Sequence, residues 1–402
     1  CDADALFFDA NGDGSLDLYV TSGGYGNLSS GDLFLKDRLY LNDGKGNLRK
    51  DNQSLTGTGA AKSCVRAADI NGDGSLDLFV GSRVIPGEYP TSTPSHILIN
   101  DGKGKFTNQT ASLFPALLNT GMVSDAEWVD LDGDGQVELI LVGEFMPITI
   151  LGKQKGRWTD VSTVYFDEMQ VGLWNELLVE DLNADGKPDI VVGNQGLNTQ
   201  MKASVKEPLT LYHKDFDDNG SIDPVLCFFM QGKSYPFVTR DEMLDQVSML
   251  RTRFPAYKSY ANATIDEIFT PVEMKGVSVL KATELKTMAF LLSKSNKFEA
   301  IPLPVEVQSS PIFVISAFDY DKDGHKDLFL GGNQYQSRLK FGRNDANYGL
   351  LLKGNGKGNF QMIPQNQTGL KLQGDLRSAL KVGNSWIFGL HNKNLVSYNL
   401  KE

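Results

Sequence analysis

The chain has 402 residues, 41 of them Gly, with 50 Asp or Glu against 39 Lys or Arg and a formal net charge of −11. With 41% hydrophobic and 22% charged residues it can bury a large core, which excludes a disordered chain. The acidic balance argues against nucleic acid as a partner, and no uncharged apolar run approaches the ~18 residues of a membrane-spanning helix.

Cys1, Cys64 and Cys227 are an odd set without CxxC spacing. This predicts buried free thiols at Cys64 and Cys227 rather than a disulfide framework or a zinc site. Cys1 in first place invites a lipid anchor. The apolar residues 5–8 follow without a tether, however, so a trimmed start is the expectation.

One nine-residue pattern, D-x-[DN]-x-[DN]-G-x-x-[DE], recurs six times in chain order. The first copy sets Asp9, Asn11, Asp13, Ser15 and Asp17 at positions 1, 3, 5, 7 and 9, and the second Asp69, Asn71, Asp73, Ser75 and Asp77. The third has Asp130, Asp132, Asp134, Gln136 and Glu138, and the fourth Asp181, Asn183, Asp185, Lys187 and Asp189. The fifth has Asp215, Asp217, Asn219, Ser221 and Asp223, and the sixth Asp319, Asp321, Asp323, His325 and Asp327. Short β-rich runs flank them, as at 5–8 and 16–20, 65–68 and 76–80, and 313–318 and 328–330. The repeated unit reads as strand, acidic loop, strand.

The residue types point to a hard cation. Oxygen side chains at positions 1, 3, 5 and 9 converge if the backbone turns sharply, and the Gly at position 6 permits that turn. Position 7 varies, as expected if it offers only its carbonyl. Calcium accepts such an irregular all-oxygen cage more readily than magnesium, so about six calcium sites are expected. Plain Asx/Gly turns would explain the Gly, but not three or four carboxylates in nine residues. The fifth loop is the weakest case, because Pro224 follows its last ligand and removes a strand donor. Position 12 of an EF-hand would be Glu; here it is Val20, Val80, Leu141, Val192, Leu226 and Leu330.

Between the loops an apolar strand, a Gly-rich turn and a strand opening on a large apolar residue recur at 38–48, 96–106 and 348–360, with degenerate copies at 148–158 and 290–298. Each repeat therefore carries four short antiparallel strands, the composition of a β-propeller blade. The loops start 60, 61, 51, 34 and 104 residues apart, and three strands without a loop follow Asp375. The reading is an all-β propeller of seven blades, with six or eight as alternatives, in one domain spanning 1–402. A helical insertion is expected over 239–283, where Thr239–Glu242, Thr264–Glu267 and Thr270–Glu273 have capping-box spacing and Met243, Leu244, Val247 and Leu250 share a helix face.

If the acidic loops share one face, the connections after the second strands open on the other. They carry Arg83, Asn194, Gln195, Asn333, Gln334, Tyr335, Arg338 and Arg343, a candidate rim for a carboxylate, sugar or peptide, with ordinary polar loops as the competing reading. No catalytic set is read. His96, His213, His325 and His391 are scattered, and neither a GxSxG elbow nor a P-loop occurs.

The phrases DxNGDGxLDLFVGS and LYLNDGKGNL resemble the FG-GAP or VCBS repeat, which in integrin α-subunits builds a seven-bladed propeller with calcium between the first two strands of blades. The stretch 240–269 and the phrase at 349–360 are similar to large bacterial secreted proteins related to the cartilage-acidic-protein (ASPIC/UnbV) group. The resemblance implies a secreted, cell-surface or bacterial outer-membrane protein that binds something rather than turning it over, and it marks the same loop carboxylates as calcium ligands. It supplies no ligand, and a protein or glycan partner, with a place in a larger assembly, is the expectation. The rival expectation is a polysaccharide-active, lyase-like enzyme or a glycan-binding lectin, with Tyr335 and Arg338 as candidate cleft residues.

Overall fold

Apolar residues on either side of each acidic loop pair into antiparallel strands. The computed structural model describes residues 2–24, 28–52, 55, 59–337 and 342–399, and among them the strands form seven antiparallel sheets. The first orders Asp2–Phe8, Asp17–Ser22, Arg38–Asn42 and Leu48–Lys50; the second orders Ala61–Ala68, Asp77–Val84, His96–Asn100 and Phe106–Asn108. In the third, Glu138–Pro147 pairs both Met122–Val129 and Thr149–Gln154, and the latter pairs Arg157–Asp160. The sixth orders Ile312–Phe318, Asp327–Gly332, Leu350–Gly354 and Phe360–Met362, and the seventh Leu376–Val382, Ser385–Leu390 and Val396–Asn399. The acidic loop joins the first two strands in the first, second, third and sixth sheets, and Gly-rich hairpins close the outer strands.

The fourth and fifth sheets depart from a serial repeat. The fourth consists of Glu176–Glu180 and Asp189–Gly193, followed in space by Met288–Leu292 and Phe298–Pro302. Between its second and third strands the chain inserts the whole fifth sheet, in the order Lys233–Pro236, Asp223–Met230, Leu209–Lys214 and Ser278–Ala282. The hairpin at 290–298 is present as expected, but it completes the fourth loop's sheet rather than a blade of its own. Pro224 is accommodated opposite His213 in the strand pair that carries the fifth loop.

The expected helical insertion is also corrected. Helices occupy Arg240–Gln246, Tyr257–Tyr260 and Ile265–Ile268, but 278–282 is a strand of the fifth sheet. Thr239 and Thr264 form reciprocal capping boxes with Glu242 and Glu267. Thr270 and Glu273 exchange the same pair of bonds around a single turn, and Gly276, in the left-handed region at φ 77°, ends it. Met243, Leu244, Val247 and Leu250 are buried with Val225 and Cys227 of the fifth sheet and with Phe216 of its loop, and Phe216 stacks on Phe269 at 4.0 Å.

The chain groups into two compact units: Cys1–Val123, Gln170–Gly172 and Met201–Glu284; and Ser124–Met169, Leu173–Gln200 and Leu285–Glu402. Within the first, Phe8, Tyr19, Leu39, Val65, Val80 and Leu98 fill the space between the first two sheets. Within the second, successive residues of one strand serve opposite neighbours. Ile190 and Val192 join Ile140, Val142, Ile150 and Phe290, whereas Val191 joins Leu328, Leu330 and Leu352. Both faces of such a strand are covered, which explains its continuous apolar run. Cys64 and Cys227 are buried free thiols. Among the described residues no helix is long and apolar enough to cross a membrane.

Trp174 is fully buried in the second unit, and its indole N–H donates to the Met146 carbonyl at 3.0 Å. Trp174→Ala should cost about 3–5 kcal/mol through lost burial and an orphaned carbonyl. The urea midpoint of the purified chain reads this, and an unchanged midpoint refutes the packing described.

Candidate metal-binding loops

All six loops share one hydrogen-bond network. The N–H groups of positions 5 and 6 donate to the two oxygens of position 1, as Asp13 and Gly14 do to Asp9 at 3.2 and 2.8 Å. The same pair of bonds recurs at Asp69, Asp130, Asp181, Asp215 and Asp319. The position-7 N–H donates to the position-5 side chain in every copy: Ser15 to Asp13, Ser75 to Asp73, Gln136 to Asp134, Lys187 to Asp185, Ser221 to Asn219 and His325 to Asp323. Asn11, Asn71, Asp132 and Asn183 at position 3 accept the position-5 N–H.

The ninth position binds the loop to its sheet. One oxygen of Asp17, Asp77, Glu138, Asp189, Asp223 and Asp327 accepts the N–H of position 2 (Ala10, Ile70, Leu131, Leu182, Phe216 and Tyr320). In four sheets the other oxygen accepts an N–H from the third strand: Asn42, Asn100, Leu292 and Gly354, each at 2.8 Å. The first five position-2 side chains are buried.

Two features of these loops escaped the sequence reading, and both left a signal. Position 2 is apolar or aromatic in every copy. Position 4 is left-handed in every copy, with φ of 75°, 81° and 78° at Gly12, Gly72 and Gly133, and 60°, 54° and 61° at Ala184, Asp218 and Lys322. Gly at half of these positions was the clue.

The geometry concentrates negative charge. Carboxylate oxygens of Asp130, Asp132 and Glu138 lie within 4.8 Å of one another, and the same holds for Asp215, Asp217 and Asp223, and for Asp319, Asp321 and Asp327. Burial, then repulsion from Asp132, Asp134 and Asp130, pushes Glu138 up to about 7. Burial and the neighbouring loop acids raise Asp189 to about 6 and also raise Asp77, Asp223 and Asp327. Asp217 Oδ1 is buried without a hydrogen-bond partner. This unmet oxygen beside two further carboxylates fits a hard cation, and it lies in the loop with the weakest sequence case. The donor set is all oxygen, as calcium prefers.

The position-7 side chains behave differently from loop to loop: the Gln136 amide donates back to Asp134 at 3.3 Å, whereas Lys187 points away from its loop. Lys187 Nζ reaches the Ser293 carbonyl and Asn296 Oδ1, at 3.2 and 2.8 Å. In the sixth loop Lys353 pairs with Asp321 and, at 2.9 Å, with Asp323, and these two bonds hold its ammonium well above the usual lysine range.

The expected ligand rim is only partly assembled. Asn194 and Asn333 are fully buried and brace the backbone instead of facing a ligand. Asn194 Oδ1 accepts from the Leu173 and Gln195 N–H groups while its amide donates to the Lys286 carbonyl; Asn333 accepts from Ser310 and Asn347 and donates to Asn347 and Gly374. Arg83 and Gln195 are half-buried. Gln334 forms a backbone bridge with Asn344, which brings the Arg343 guanidinium 5.5 Å from the Tyr335 ring, with Lys393 at 5.9 Å. Arg338 lies outside the described residues.

Ala184 and Lys322 pay a steric cost at left-handed positions where other loops have Gly. Ala184→Gly and Lys322→Gly should each stabilise the metal-free chain by about 0.5–1 kcal/mol, while Gly14→Ala, at φ 83°, should destabilise it by more. Melting in chelator reads both signs; destabilisation by the Gly variants refutes the loop conformation.

Residues 9–80 and 130–192 match the model of the FG-GAP-like repeat. No curated protein matches the chain. Among solved structures it is similar to the Bacillus licheniformis rhamnogalacturonan lyase PL11, at 12% identity over 96% of this chain and 62% of that one, with a TM-score of 0.34. The chain thus spans less than two thirds of that enzyme, and a likeness this slight carries no argument about activity. The matches give no support to kinship with the cartilage-acidic-protein group. Two segments of this chain, holding four of its six acidic loops, thus match the FG-GAP-like repeat.

Proposed function

We propose that the chain is a single calcium-stabilised β-propeller domain acting outside the cell or at its surface, as a binding or scaffold module for a protein or glycan within a larger assembly. The observation that carries the proposal is the six-fold recurrence of one loop hydrogen-bond network, three copies of which bring three carboxylates within 4.8 Å of one another. Gathered carboxylates repel one another, and a divalent ion at each loop removes that cost. FG-GAP-like repeats are typical of extracellular proteins, which supports the location. The Tyr335, Arg343 and Lys393 cluster, with an aromatic face and two cations, suits an acidic partner.

A chelator should lower the melting temperature substantially, and calcium should restore it better than equimolar magnesium. Each site filled at a hundredfold its dissociation constant contributes about 2.7 kcal/mol by mass action. An unchanged melt together with no calcium by elemental analysis removes the calcium reading. Uronate-containing glycans should bind or be ignored without cleavage. Release of an unsaturated product would move the protein to the polysaccharide lyases.

A further inference from the structure

The sixth loop differs from the others in what lies against it. In the first, second, third, fourth and sixth sheets, the residue opposite the ninth loop position on the third strand follows from the strand register: Leu41, Ile99, Gly152, Leu291 and Lys353. Only the last is basic. Lys353 extends from Leu350–Gly354 to the carboxylates at positions 3 and 5 of its loop, Asp321 and Asp323, and bonds both. These are two of the acids expected to hold the ion, so the ammonium and a divalent cation compete for the same oxygens. Lys353 is also half-exposed, with a side-chain relative exposure of 46%, so it has room to swing into solvent.

We propose that Lys353 is a tethered cation: it neutralises the sixth loop when calcium is absent and must be displaced before calcium enters, which makes this loop the last to fill. The inference rests on reading the loops as calcium sites and adds that the sites are of two classes. A lysine on a flexible stem suits this role, since it leaves without disturbing the strand that carries it. Once displaced it remains close by, and its charge continues to oppose a second cation. The device gives a graded response: the other loops fill at lower calcium, and the sixth senses a higher level.

Hydrogen exchange resolved by peptide, followed through a calcium titration of the full chain, tests this. In the unmodified protein, protection of 319–327 should require about fivefold more calcium than protection of 9–17, the upper end of what an exposed ion pair contributes. Lys353→Met should bring the two midpoints together, and Lys353→Arg should leave them apart. In chelator, Lys353→Met should speed exchange at the Gly324 and His325 amides, while the first loop is unaffected. Equal midpoints in the unmodified protein, or midpoints unmoved by Lys353→Met, overturn the inference and leave the calcium reading standing. If no loop responds to calcium in either form, the calcium reading falls, and unchanged exchange in chelator then disposes of the tether as well.

Discussion

The structure depends on a carboxylate set between two strands, with backbone N–H groups on its oxygens. At the ninth loop position one oxygen closes the loop through position 2, and in four sheets the other captures the third strand. That single side chain joins a local turn to the outer hairpin of its sheet, and charge-assisted bonds of this kind are about twice as strong as neutral ones. Acidity at this position is therefore required by the sheet whether or not an ion is present. Position 1 behaves likewise, with its two oxygens accepting the backbone of its own loop. An ionised carboxylate offers about four acceptor sites, so these bonds leave lone pairs facing inward. The backbone alone thus shapes an acidic bowl of the kind a hard cation would enter.

Much of this was legible in the residues. The nine-residue spacing, the flanking strands, the Gly-rich hairpins and the strands after Asp375 all form where the pattern places them. What a serial reading misses is pairing between distant segments. Nothing local in Met288–Leu292 identifies Asp189–Gly193 as its neighbour, since alternation specifies a face and not a partner. The 34-residue step from the fourth loop to the fifth carried the warning. It is well short of the 51 to 61 residues between the earlier loops, each step of which holds a whole sheet, and the fourth sheet takes its remaining strands from beyond the insertion. The strand 278–282 was hidden for the same reason: its place is set by Leu209–Lys214, about seventy residues earlier.

The rim was misread through a different physical cause. Asn194 and Asn333 follow directly on buried strands, where the ladder ends but the chain has not yet reached solvent. Backbone donors and acceptors there need partners, and an Asn amide supplies one of each. A polar residue after a strand thus reads as exposed in sequence and serves as a buried brace in the fold. The Tyr335 and Arg343 pair survives because the Gln334–Asn344 bridge folds one loop back on itself and brings an aromatic ring and a guanidinium together outside the core.

The opening charge takes on a different meaning once the loops are in place. Their ligand positions hold 20 of the 50 acidic residues, and six divalent ions would bring +12 against the net −11. With those ions bound, the net acidity would be cancelled within the loops and would say little about partners. The loops are unequal, with four carboxylates at the ligand positions of the third and sixth and three elsewhere. Each of the two crowded loops has its own relief. In the third, burial and mutual repulsion drive Glu138 to about 7, so the extra charge is lost by protonation near neutral pH. In the sixth, Lys353 brings a compensating cation from the neighbouring strand. Before any ion binds, both crowded loops approach the charge of the other four. Bringing them down to that level is a requirement on folding, since a fourth unrelieved charge would have to be gathered with no cation present.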